Sequence, residues 1–389
     1  MHNGPTPRFG RALRQEWLLE AGMDFLNHGS FGATPRRVLK AQSDWRTRLE
    51  RQPLRFFLDI APDALRSAAD DLARFLGSTG EHLAFVDNAT SGTNAVLRSF
   101  PFEAGDEILY TDHGYGAVVR TIEYVARQTG AIPVPVELPF PSGGPEEVLG
   151  QVRSALTDRT RMAVLDHVTS ATALVLPVAE LVDLCRERGV PVLVDGAHGP
   201  GMLDLQLDAL GADWYTGNCH KWLCSPKGCA FLWTNPGSTV ARKDLHPPVI
   251  SHFLDQDWPA EFDFVGTRDY TPWLSVTEAL AFRRELGAER VENYIHDLVI
   301  EAGQCIASTW GVDLDFRPEM TGSILTLPLP VSLPGSPEAA LELNKSLWEE
   351  HRIEVPPVPF GDKLWIRISA HVYNELEDYQ GLADAFASH

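Results

Sequence analysis

Short apolar runs alternate with longer amphipathic stretches through the middle of this 389-residue chain. The runs HLAFV (82–86), EILYT (107–111), IPVPVEL (132–138), RMAVLDHV (161–168), VPVLVDG (190–196), WYTGN (214–218) and CAFLW (229–233) have the length and content of buried strands. Between many of them the apolar spacing changes to that of a helix, as in Ala117–Thr129, Pro145–Leu156 and Val178–Arg188. Strands alternating with helices predict an α/β domain on a mostly parallel, seven-stranded sheet.

The flanks read differently. Residues 1–25 predict a leading arm with a short helix around Arg11–Leu19. Residues 35–76 are helical in pattern: Pro35 suits a first turn, and a second helix, Asp63–Leu76, stops at Gly77. Residues 235–275 are rich in Pro, His and aromatics and predict loops crossing the large domain. From Thr277 a helical pattern runs to about Thr309, and SILTLPL and KLWIRIS then predict strands of a small α+β domain. The Pro-rich PLPVSLPGSP (327–336) reads as a loop. The expected organisation is an arm (1–25), a large domain (26–275) and a small C-terminal domain (276–389).

Charge narrows the partners. Lys and Arg number 33 against 53 Asp and Glu, a net charge of -20. Such a surface repels nucleic acid and anionic membrane. It leaves room for a small anion held by a few local N–H groups. No run reaches the roughly 18 apolar residues of a membrane span, and MHNGPTPRFGRALRQEW has no secretory apolar core. Five cysteines, sparse and odd in number, fit the reduced thiols of a cytoplasm.

Three stretches carry chemistry. In VLVDGAHGPG (192–201) an apolar run ends in Asp195, where open α/β sheets gather ligands; a capping Asp would look the same. In FVDNATSGTNAVLRS (85–99) small polar residues begin a helix, which suits phosphate or an ordinary N-cap. GNCHKWLCSPKGC (217–229) holds Lys221 among three cysteines spaced C-x4-C-x4-C, which is neither paired zinc spacing nor C-x-x-C. Small buried thiols beside a reactive lysine fit it better, since burial lowers a lysine pKa and makes it a Schiff-base nucleophile.

Together with FLNHGSFGATPR (25–36), TDHGYGA (111–117), DHVTSATALVLPV (166–178), GTRDYTPW (266–273) and RISAHVYN (367–374), these stretches resemble the class V aminotransferases of fold type I. Within that class the isopenicillin N epimerases and their relatives are the most similar subgroup. The resemblance implies pyridoxal 5'-phosphate, no metal, and a homodimer with shared active sites. It implies that Lys221 carries the cofactor and moves the Cα proton, and that Asp195 pairs with the pyridinium nitrogen. His198 would lie beside the phenolic oxygen, with Ser170 nearby. Ala89 and Thr90 would hold the phosphate, and Asn218 and His220 would add contacts. Thr267 would reach the phosphate of a neighbouring subunit. Tyr115, or else His113, would stack on the ring. Arg367 would clamp the substrate carboxylate, Asn27 and His28 would border its pocket, and Arg268 would touch substrate, a partner chain or a salt-bridge partner.

Three reactions compete on that expectation. An epimerase needs a second acid–base group beside Lys221, from among His28, Tyr115, His220 and Cys219. A C–S lyase expels a β-thiol, and a decarboxylation-dependent deaminase loses CO2. The segment EVPPVPFGDKLWIR (354–367) lacks the mobile cysteine that desulfurases of the class carry. The sequence expectation is therefore β-elimination from a cysteine S-conjugate of natural-product or antibiotic metabolism, ahead of epimerisation. A pyridoxal-phosphate-binding regulatory protein is the non-enzyme alternative, and the chain has no basic module to support it.

Overall fold

The structure is a computed structural model and describes residues 8–386 apart from 142, 239, 243 and 257; residues 1–7 of the expected arm lie outside the described residues. Strands β1 (Leu83–Val86), β2 (Glu107–Thr111), β3 (Ile132–Val136), β4 (Thr160–Asp166), β5 (Val192–Asp195), β6 (Trp214–Asn218) and β7 (Ala230–Thr234) form one sheet. Their spatial order is β1-β7-β6-β5-β4-β2-β3. Every pairing from β6 to β3 is parallel, and β7 runs antiparallel to both of its neighbours. The inner strands β5, β6 and β7 are buried along their whole length, so they read as unbroken apolar runs rather than as alternating ones.

Helices Gly116–Thr129, Pro145–Ala155 and Val178–Glu187 lie where the helical spacing predicted them. Strand β2 has β3 on one side and β4 on the other, so the winding reverses there. That reversal opens a crevice at the carboxyl ends of β2 and β4.

Strands β8 (Ile324–Pro328), β9 (Pro357–Phe360) and β10 (Lys363–Ser369) form an antiparallel sheet of order β9-β10-β8. The helix expected over 277–309 divides at Gly287, whose φ of +83° breaks the turn between Val276–Leu286 and Ala288–Trp310. The region 235–275 is mostly loop, with short helices Trp258–Asp263 and Thr271–Leu274. Helices Arg36–Arg51 and Ala61–Phe75 account for the helical pattern of 35–76, and Pro35 caps the first.

The described part of the arm is tied down. Phe9, Leu13 and Trp17 join the apolar core of the small sheet, with Ile324 and Ile366. Trp17 meets Phe282 and Tyr373 edge-on, and Asp24–Phe25 pairs in parallel with Ile353–Glu354. The chain thus leaves the small sheet, passes over the large one and returns.

That passage brings Gly32 onto the lysine loop. Its φ is +69°, and a Cβ there would lie 2.0 Å from the His220 carbonyl oxygen. Gly32→Ala is expected to cost about 2–4 kcal/mol through backbone strain and overpacking. Urea or thermal unfolding checks it, and a variant as stable as the parent would show that the segment does not rest on this loop.

Candidate active site

The crevice holds a cavity of about 680 Å³. Lys221, Asp195, His198, Thr90, Tyr115 and Arg367 line it, from five separate stretches of chain. Asp195 ends β5, buried, with one carboxylate oxygen accepting the Ala197 N–H at 3.0 Å. Burial raises its pKa, while that N–H and the charge of Lys221 oppose the rise.

A second carboxylate lies beside it. Asp166 ends β4 and pairs in register with Asp195. Directly paired residues of parallel strands point to the same side, so two buried carboxylates share one wall. Burial, and then the Asp195 charge, push Asp166 well above the usual range, although it accepts the Thr111 hydroxyl at 3.4 Å. Sequence reading passed over Asp166, although it ends an apolar run just as Asp195 does.

Opposite stands Lys221. Its Nζ is 3.0 Å from His198 Nε2. Burial, reinforced by the positive charge of Arg367, lowers the amine to about 7, and Asp195 offsets only part of this. Behind His198, the Trp222 indole N–H donates to His198 Nδ1 at 3.3 Å.

Arg367 enters from β10. Nη1 donates to the Ser170 carbonyl at 2.5 Å, and Nη2 donates to Ser30 Oγ at 2.9 Å. Its buried Nε has no partner among the described residues. Ser30 in turn donates to Asn27 Oδ1 at 2.5 Å. Asn27 therefore acts on the guanidinium through Ser30 and lines an adjoining cavity instead. Burial lowers Arg367 to about 10, which leaves it a cation.

Helix Ala89–Ser99 points its first turn at the cavity, and Asn88 caps it by accepting the Ser91 N–H at 2.9 Å. Ala89 and Thr90 both line the cavity, and the Ala89 N–H donates to Asn218 Oδ1 at 2.9 Å. Gly92 lets the helix lie close on the sheet, since a Cβ would meet Thr216 Oγ1 at 2.3 Å.

Other expectations change. His28 does not border the cavity. Its ring is buried, with Nδ1 2.6 Å from the Tyr373 hydroxyl and Nε2 3.0 Å from the Lys221 carbonyl. A carbonyl only accepts, so Nε2 carries the proton and Nδ1 accepts from Tyr373. Cys224 Sγ lies 3.8 Å from His28 Nε2 and 3.4 Å from His371 Nε2, and burial pushes its thiol up to about 12. His113 is likewise buried, bound to Thr172 Oγ1 and the Leu138 carbonyl, so Tyr115 is the aromatic of this turn that reaches the cavity. His220 lines the cavity with Nδ1 on the Cys229 carbonyl. Thr267 is exposed and lies off the cavity wall. Arg268 pairs with Asp87 and stands over the Trp273 ring at 4.1 Å.

A pyridoxal phosphate needs an amine for its aldehyde, a carboxylate for its ring nitrogen and donors for its phosphate. The cavity offers Lys221, Asp195 and a helix N-terminus in one space, so the residues fit the group. The aminotransferase class-V family model matches residues 32–331, and the chain belongs to that family. A probable chloroplastic L-cysteine desulfhydrase of Arabidopsis thaliana is 37% identical over 386 residues, covering 92% of this chain and 81% of that protein. An isopenicillin N epimerase of Streptomyces clavuligerus is 34% identical over 395 residues, covering 96% of each. Among solved structures, a cystine C–S lyase in complex with cysteine persulfide matches with a TM-score of 0.80 at 22% identity, covering 94% of this chain and 98% of that one. The fold is that of fold type I, and the chain is a pyridoxal-phosphate-dependent enzyme. No helix among the described residues is long and apolar enough to cross a membrane.

An amine lowered to about 7 is nucleophilic above that pH and protonated below it. Borohydride trapping of pyridoxal phosphate on Lys221, read by peptide mass spectrometry, is expected to rise with pH to half its maximum near about 7. A midpoint near the ordinary lysine value would show that water reaches the amine.

Proposed function

We propose that this chain is a C–S lyase that breaks cysteine or a cysteine S-conjugate by β-elimination. The observation that carries this reading is the count of usable bases. Lys221 lines the cavity with its amine lowered to about 7, and two of the four candidates for a second base are withdrawn from it. His28 Nε2 donates to a carbonyl, and Cys219 is buried with its thiol pushed well up, chiefly by burial; His220 lines the cavity but is lowered to about 4, chiefly by burial, which makes it a weak base. An epimerase needs a proton carrier on each face of Cα, whereas elimination needs one base and a leaving group. The relatives named L-cysteine desulfhydrase support the same side.

In this reading Arg367 holds the α-carboxylate with its unspent Nε and orients it. Lys221 takes the Cα proton and passes a proton to the departing sulfur. When bound, pyridoxal phosphate supplies an electron sink for the pair left on Cα. That pair forms the Cα–Cβ double bond as the C–S bond breaks, and the sulfur leaves as a thiol or as hydrogen sulfide. The released enamine takes up water and yields pyruvate and ammonia. Asp195 holds the ring nitrogen, Tyr115 covers the ring, and Thr90, Asn218 and His220 surround the phosphate, with His198 and Ser170 beside the ring. Arg367 grips the carboxylate rather than releasing CO2, which opposes the decarboxylating alternative.

The active unit in this reading is a homodimer. The resemblance gives Thr267 a phosphate contact in a second copy, and its exposure off its own cavity wall supports that reading. The exposed Phe31, Leu54, Leu58 and Ile250 supply apolar surface for that contact. The five free cysteines suit a reducing cytoplasm, and a natural-product substrate remains the reading taken from the sequence. Epimerisation is the second reading, favoured by one observation: Tyr115 is 47% exposed and reaches the cavity as a possible second carrier.

The test is turnover in deuterated water with S-substituted cysteines and a β-lactam tripeptide. Free thiol with pyruvate is expected; unchanged substrate bearing deuterium at Cα would replace this reading with epimerisation. Lys221→Ala is expected to lower kcat at least about a hundredfold. Arg367→Lys is expected to raise KM about tenfold, because a point charge does not reproduce the guanidinium fork. A KM unchanged in Arg367→Lys would remove the carboxylate from that position.

A further inference from the structure

The loop Gly196–Met202 and the lysine loop touch along their backbones. Gly201 has φ of +84°, and a Cβ there would lie 2.8 Å from the Trp222 carbonyl group. This contact holds the Trp222 indole against His198 in a buried setting. Nothing in the sequence marks Trp222; in GNCHKWLCSPKGC it reads as core.

The hydrogen-bond roles follow by elimination. An indole N–H donates and has no lone pair to offer, so a ring nitrogen facing it must accept. His198 Nδ1 faces it at 3.3 Å and therefore carries no proton. A neutral imidazole has one N–H, which must then sit on Nε2. That Nε2 is 3.0 Å from Lys221 Nζ. An ammonium has three donors and no acceptor, so it cannot receive this N–H, whereas a free amine has a lone pair for it.

We propose that Trp222 is a positioning residue: its indole fixes the His198 proton on Nε2, and the imidazole thereby holds Lys221 as a free amine. Two further facts agree. His198 is held well below its usual pKa, chiefly by burial, so the ring is neutral. Lys221 is itself lowered, chiefly by burial. When an amine condenses with an aldehyde, a C=N bond forms and the oxygen leaves as water, both hydrogens coming from the nitrogen. A lysine already without its third proton starts one step ahead. The proposal rests on the reading of Lys221 as the residue that takes up the cofactor, but the tautomer can be observed without it.

The experiment is ¹⁵N NMR of histidine-labelled full-length protein, before and after loading with pyridoxal phosphate, with His198→Gln assigning the resonances. Before loading, His198 is expected to show an unprotonated Nδ1 and a protonated Nε2. In Trp222→Phe both tautomers are expected, and the lysine-linked absorption band is expected to grow in roughly fivefold more slowly, the weight of one neutral hydrogen bond. A proton on Nδ1 in the parent protein would overturn the proposal. So would a Trp222→Phe variant with an unchanged tautomer and rate. Should that variant not fold, the parent spectrum decides alone. The expected tautomer in a chain that takes up no pyridoxal phosphate would support the lock while sinking the reading of the site.

Discussion

The site depends on partly withdrawing one amine from water and setting positive charge beside it. Lys221 follows a buried strand and sits in a loop pressed from three directions. The Gly32 segment rests on the His220 carbonyl. The His28 imidazole donates to the Lys221 carbonyl. Arg367 adds positive charge from β10. Each contact comes from a distant part of the chain, so the amine reaches its depressed pKa only after the N-terminal segment and the small sheet have docked. Exposure would return it towards an ordinary, protonated lysine.

The counterweight is a pair of carboxylates. Parallel register sets Asp166 beside Asp195 at the place where the winding of the sheet reverses. Burial raises both carboxylates, and the Asp195 charge raises Asp166 further. Asp166 also accepts the Thr111 hydroxyl at the end of β2, so the two carboxylates and the strand end before the Tyr115 turn meet at one place.

The small sheet also bears on the choice of chemistry. Val358 pairs with Trp365 and Pro357 with Ile366 in the β9–β10 hairpin, so the segment before Arg367 is regular structure rather than a swinging loop. It carries no cysteine to deliver to the cavity. The same hairpin fixes Arg367, whose fork is divided between Ser170 and Ser30, with Nε left over. A rigid carboxylate holder beside a free amine suits breaking a bond at Cβ.

The sequence by itself determined the sheet and its parallel run of strands, because apolar periodicity is a local property, and it singled out Lys221 and Asp195 as candidates. It also determined family membership, through motifs spread in order along the chain. Tertiary structure alone decided which polar atoms were still free. His28 sits in a motif that promises a pocket residue, yet it faces Tyr373, 345 positions away. The Ala89 amide starts a helix at the cavity, and its partner there is Asn218, 129 positions on. Asp166 and Trp222 matter through partners across the sheet and across a loop. A hydrogen bond is satisfied by whatever the fold brings within about 3 Å, and sequence spacing carries no record of that distance.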